Sequence, residues 1–110
     1  MTLRDLGIAL LNVTPNCYHY KAHKQTDRYI VWAEDGQASA GHGDNHMVTQ
    51  VITGTVDYFT KMEYDPNFKR IQEELNNLDI AWQLNSIQRE DETGYIHYEW
   101  VWEVGMDLCG

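Results

Sequence analysis

The stretch "YIHYEWVWEV", residues 95–104, constrains the fold more than any other part of this chain. Ile96, Tyr98, Trp100, Trp102 and Val104 alternate with His97, Glu99, Val101 and Glu103. Successive side chains of an extended strand point to opposite faces, so one face of this segment is large and apolar and the other is mainly polar. Such a strand belongs to a sheet with one face covered and one open.

The same period recurs upstream. "MVTQVITGTVDYFT" (47–60) sets Val48, Ile52, Val56 and Tyr58 against Thr49, Thr53, Thr55 and Asp57, and its length implies a bend near Gly54. "IAWQLNSIQRE" (80–90) puts Ile80, Trp82 and Leu84 on one face before the phase shifts to Ile87, which implies a bulge near Asn85–Ser86. "DETG" then closes a hairpin, with Gly94 free to take positive φ. "CYHY" (17–20) and "RYIVWAE" (28–34) are strand-like, separated by the polar turn "KAHKQTD". The second lacks alternation, as expected of a strand covered on both faces or held at an interface.

Two segments have helical spacing. Leu3, Leu6, Leu10 and Val13 form one apolar stripe behind a capping pair, Thr2 and Asp5, and Pro15 ends it. Phe68, Ile71, Leu75 and Leu78 repeat the spacing behind Asp65 as N-cap and Pro66 at the first helical position, and Asn76 and Asn77 terminate it. The order is therefore α-β-β-β-α-β-β. The expected class is α+β: a mainly antiparallel or mixed sheet of four to five strands, with both helices packed on one face. A single domain over 1–104 follows, long enough to bury about two-thirds of the surface of the unfolded chain. Residues 105–110, "GMDLCG", read as a disordered tail.

"EDGQASAGHGDNH", Glu34 to His46, breaks the pattern with three glycines, three acids and almost nothing for a core. It reads as a flexible arm that a partner orders, the entropy cost being met at assembly. A competing reading is a metal-dependent enzyme: His42, Asp44 and His46 stand at alternate positions and would point the same way in an extended chain. Against it, the loop has no apolar residues to fix ligand geometry. His97, Glu99 and Glu103 line the open face of the last strand, where carboxylates are solvated or paired with a neighbour's cations rather than tuned for acid–base chemistry. No nucleophile elbow, phosphate-binding glycine loop or Cys–His pairing is present, so the chain reads as a non-enzyme with no cofactor.

Charge narrows the partners. Lys and Arg number 8 against 17 Asp and Glu, a net −9, with +2 on residues 1–33 and −11 on the rest. No basic cluster is available to neutralise phosphates, and an acidic surface repels DNA. No apolar run reaches the length of a membrane span and the N-terminus lacks a signal-peptide pattern. Cys17 and Cys109 match no metal or redox spacing, so a reduced protein is the default, with a Cys17–Cys109 bridge left open.

Taken together, "NVTPN", "YHY", "YIVWAEDGQ", "VITGTVDYFTK", "LNSIQRED" and "YIHYEWVWEV" resemble the minor tail proteins of siphophages and prophages of Gram-positive bacteria, the tail-terminator and tail-completion proteins, over about residues 1–104. The resemblance implies a structural virion protein that forms a ring, commonly a hexamer. The ring caps the tail tube, meets the tube protein and the head-side connector, and lets DNA pass without sequence-specific binding. It implies a location in the virion tail, after assembly in the bacterial host cytoplasm, and no catalytic residues. Residues expected at the oligomer interface or in the arm are Trp32, Gly36, Gln37, Gly41, Gly43, Asp44, His46, Glu99 and Glu103. A small α+β module that binds peptides along a sheet edge is the remaining alternative.

Overall fold

The apolar stripes of both helices join one core with the aromatic face of the last strand. The computed structural model describes residues 2–38, 41–43 and 46–107. Its elements are α1 (Leu3–Leu11), β1 (Cys17–His19), β2 (Arg28–Gln37), β3 (Gly41–Gly43), β4 (His46–Thr60), α2 (Pro66–Asn77), β5 (Ala81–Arg89) and β6 (Ile96–Asp107). The fold is α+β, in the expected order with one short strand, β3, added. The main path of the sheet is β1-β2-β4-β6-β5, and β3 pairs with β4 beside it. All pairings are antiparallel except β1 with β2.

Local chemistry sets the helix ends. The Thr2 hydroxyl accepts from the Asp5 amide while the Asp5 carboxylate accepts from the Thr2 amide, a complete capping box. α1 ends at Leu11, yet Val13 beyond it still reaches the core. α2 starts on Asp65 with Pro66 in its first turn and is capped at Leu78.

The core is the layer between helices and sheet. Leu6 and Leu10 of α1, and Ile71 and Leu75 of α2, are wholly buried against Ile30, Val56, Tyr58 and Trp100. Cross-strand register makes that floor continuous: Ile30 faces Tyr58 and Tyr58 faces Tyr98, while Val56 faces Trp100. Trp102 lies opposite Gly54, and a Cβ there would come within 2.2 Å of both the indole and the Ala33 carbonyl oxygen. Gly54 is thus the recess for a tryptophan. The irregularity expected at Gly54 falls on its neighbour β2, where the register shifts between Glu34 and Gly36. The bulge in β5 sits where expected, between Leu84 and Ser86, and Gly94 has φ of 80° in the hairpin turn.

Two segments differ from the sequence reading. Much of the stretch read as a loop or arm is strand: β2 continues through Gly36 and Gln37 against Thr53 and Ile52, and β3 pairs Gly41 with Thr49 and Gly43 with His46. The cause is the length of β4, whose exposed ladder takes up these residues despite their poor strand propensity. The C-terminal segment read as disordered also extends the sheet, because β6 pairs with β4 as far as Asp107 opposite Thr49. Residues 108–110, Cys109 among them, lie outside the described residues, and burial pushes the Cys17 thiol up to about 12. No described helix is long and apolar enough to cross a membrane.

Candidate functional site: the open face of the sheet

The face of the sheet turned away from the helices carries the polar half of the alternation. Tyr29 of β2, Phe59 of β4 and His97 of β6 stack in a row across it, with ring centroids 4.7 and 4.3 Å apart. Tyr95 stands edge-on to both Tyr29 and Phe59. The β1–β2 connection folds over one side, so that Tyr20, Lys21, Ala22 and Gln25 form a shallow cleft with Val31, Asp57 and Phe59.

Beside this cleft three ionisable side chains converge. Asp57 of β4 lies directly across the ladder from Glu99 of β6, and His97 is the next residue of β6 on the same face. The His97 Nε2 is 2.7 Å from an Asp57 carboxylate oxygen. That hydrogen bond raises the imidazole pKa against the opposing effect of burial, and Glu99 and Glu90 add to the rise. The other Asp57 oxygen accepts from the Thr55 hydroxyl at 3.2 Å, and Glu99 accepts from the Asn85 amide at 2.7 Å. Asp57, His97 and Glu99 place one donor atom each within 4.8 Å of one another, and they are the metal-competent group found among the described residues.

A second constellation lies on the helix-covered face, at the β1 edge. His19 stacks on Trp32 at 3.9 Å and its Nε2 is 3.0 Å from Glu34, to which the Tyr20 hydroxyl also donates. Burial would raise the Glu34 pKa, but the Tyr20 and His19 hydrogen bonds outweigh it and the carboxyl sits below its usual range. Leu3, Gly7, Ile8 and Leu11 of α1 form the other wall of this groove, with Ile8 and Leu11 half exposed.

The residues singled out in the sequence are scattered over this frame. Trp32 is buried under α1. Gly36 and Gln37 end β2, where Gln37 accepts from the Gln50 amide at 2.8 Å. Gly41 and Gly43 lie on β3 and His46 begins β4, while Asp44 is outside the described residues. The alternate-position metal set needed one extended strand through His42, Asp44 and His46. His42 lies on β3 and His46 opens β4, two strands that pair antiparallel, and the side chains of both lie outside the described residues. Glu103 is exposed on β6 opposite Thr53 and Ala81. Of the residues that the sequence places on the open face of the last strand, His97 and Glu99 join the cluster and Glu103 does not. Asp57 was legible as an outward residue of its strand; no sequence signal ties it to His97.

No protein-family model matches this chain, and no curated protein matches it in sequence.

Proposed function

We propose that this protein is a structural subunit of a siphophage or prophage tail, a terminator or completion protein that caps the head-proximal end of the tail tube as a ring of identical copies. The observation that carries the reading is the free edge of β5. Among the described residues this nine-residue strand pairs only with β6, which leaves its other backbone edge open. Natural edges are blunted by lysine, proline or a bulge. β5 has the bulge at Asn85 but neither lysine nor proline, and it exposes Ile87. An open edge on one side of the protomer suits head-to-tail contacts, the kind that close into rings.

Two further features support it. The open face carries Asp35, Asp57, Glu99 and Glu103, an acidic surface suited to a channel along which DNA slides without sticking. Exposed Met62 and Tyr64 project from the β4–α2 connection, away from the core, where a neighbouring subunit could cover them.

The test is sedimentation velocity over about two decades of protein concentration, alone and with tail-tube protein. A concentration-dependent ring, visible by negative stain, is expected. A monomer under every condition overturns the reading, and a monomer that binds extended peptides through β5 replaces it with the edge-binding module.

A further inference from the structure

We propose that Asp57, His97 and Glu99 form a binding site for a first-row divalent transition cation, of the zinc or manganese class, on the open face of the sheet.

The first argument is the donor set. One imidazole and two carboxylates offer nitrogen and oxygen ligands within 4.8 Å of one another. Imidazole favours zinc and its neighbours over magnesium or calcium, and carboxylates extend the range to manganese. A cation at metal–ligand distances of about 2.0–2.2 Å needs donors roughly 3–3.5 Å apart, so only small side-chain rotations separate the present arrangement from a coordinated one. The cation would take the place of the hydrogen bond that now links His97 Nε2 and Asp57 across 2.7 Å.

The second argument is support around the ligands. Metal sites fail when their ligands are free to swing, and outer hydrogen bonds prevent that. Here Thr55 holds one Asp57 oxygen and Asn85 holds one Glu99 oxygen. The His97 ring stacks on Phe59, nearly parallel at 17°. All three ligands rise from two adjacent strands in the middle of the sheet, where the backbone ladder runs unbroken from Thr49 to Thr60.

The third argument is electrostatic. Asp57 and Glu99 are directly opposed across the β4–β6 ladder. Like charges in that position repel and destabilise a sheet. Among the described residues neither carboxylate is paired with a lysine or arginine; the ion pairs are His19–Glu34, Arg28–Asp65, Lys61–Asp27 and His97–Asp57. A single imidazole facing two carboxylates leaves negative charge uncompensated. A divalent cation is the simplest group that compensates it.

The experiment titrates the full-length protein with Mn²⁺ and follows amide resonances by NMR, with Zn²⁺ affinity measured in parallel by calorimetry. Paramagnetic broadening should centre on residues 56–58 and 97–100. Glu99→Gln keeps an acceptor for Asn85, so it should fold, and without metal its Tm should equal or exceed that of the native protein because the opposed charges are gone. It should also weaken Zn²⁺ at least about tenfold, and Asn85→Ala, which frees Glu99 to swing, should weaken it similarly. His97→Asn should abolish the Mn²⁺ effect. The proposal fails if broadening centres on any other histidine, if Zn²⁺ affinity survives Glu99→Gln unchanged, or if neither cation binds.

Discussion

Replacing Asp65 separates two accounts of why this fold holds. If Asp65 is only the N-cap of α2, asparagine serves equally well, since the two residues cap about as effectively. The structure gives it a larger part. One carboxylate oxygen accepts from Arg28 Nε at 3.0 Å, the Tyr58 hydroxyl at 2.7 Å and the Thr60 hydroxyl at 2.7 Å. The other accepts from the Arg28 guanidinium at 2.6 Å and the Asn67 amide at 2.9 Å. The Asp65 side chain is completely buried, as are Tyr58 and Thr60. Loss of the cap alone costs about 1 kcal/mol. Removing one member of a buried charged pair costs about 3–5 kcal/mol, because its partners are stranded. Arg28 keeps 38% of its side chain in water, so solvent recovers part of its loss, whereas the two buried hydroxyls have no such recourse. Asp65→Ala should therefore cost about 3–4 kcal/mol, a fall in Tm of roughly 15–20 °C for a domain of this size. Asp65→Asn keeps the cap but turns an NH₂ toward donors, and should still cost about 2–3 kcal/mol.

Urea unfolding followed by tryptophan fluorescence measures both variants. An Asp65→Asn protein within about 0.5 kcal/mol of native stability would refute the network argument, since that is the scatter expected of an inconsequential substitution. Acid titration adds a check of sign. Burial would raise the Asp65 carboxyl, but hydrogen bonds from Arg28, Tyr58, Asn67 and Thr60 outweigh it and hold the folded value below the usual range. The stabilisation is complete above the unfolded value of about 4 and disappears as pH falls through the lower folded value. Asp65→Asn should flatten that acid limb.

Three further outcomes follow from the packing. Gly54→Ala drives a Cβ into the Ala33 carbonyl and the Trp102 ring, and should cost about 3 kcal/mol or more, read as a lowered urea midpoint. Gly94→Ala meets open space but keeps φ near 80°, so its cost should stay at about 1 kcal/mol by the same assay. Ile87→Lys puts a charge on the free β5 edge, and should leave monomer stability within about 0.5 kcal/mol while weakening self-association in sedimentation.

What the sequence disclosed was local. The stripes of α1 and α2, their caps at Thr2 and Asp65, the alternation of β6 and the bulge beside Asn85 all arise from neighbours a few residues apart, where spacing maps directly onto geometry. What it concealed depends on which strands lie side by side. The parallel pairing of Cys17–His19 with Ile30–Trp32 leaves no periodic mark, and neither does the meeting of Asp57 with His97 across forty positions. The Arg28–Asp65 pair was equally hidden, because Asp65 already had a sufficient local role as a cap. The glycine-rich stretch misled for the opposite reason. Its composition disfavours strands, but a long ladder on β4 recruited it.

Alternation distinguishes odd slips of β6 along β4 from even ones, and only the odd slips turn the wrong side chains inward. A shift by two would keep every apolar residue facing the helices, and patterning alone gives the chain no reason to reject it. The tryptophan recess supplies the reason. Moved by two positions, the Trp102 indole would land on Ile52 or Val56 instead of the missing side chain at Gly54. One absent Cβ therefore works as a tooth in a ratchet, setting the alignment of the two longest strands and, through them, how far the sheet extends beyond its helices.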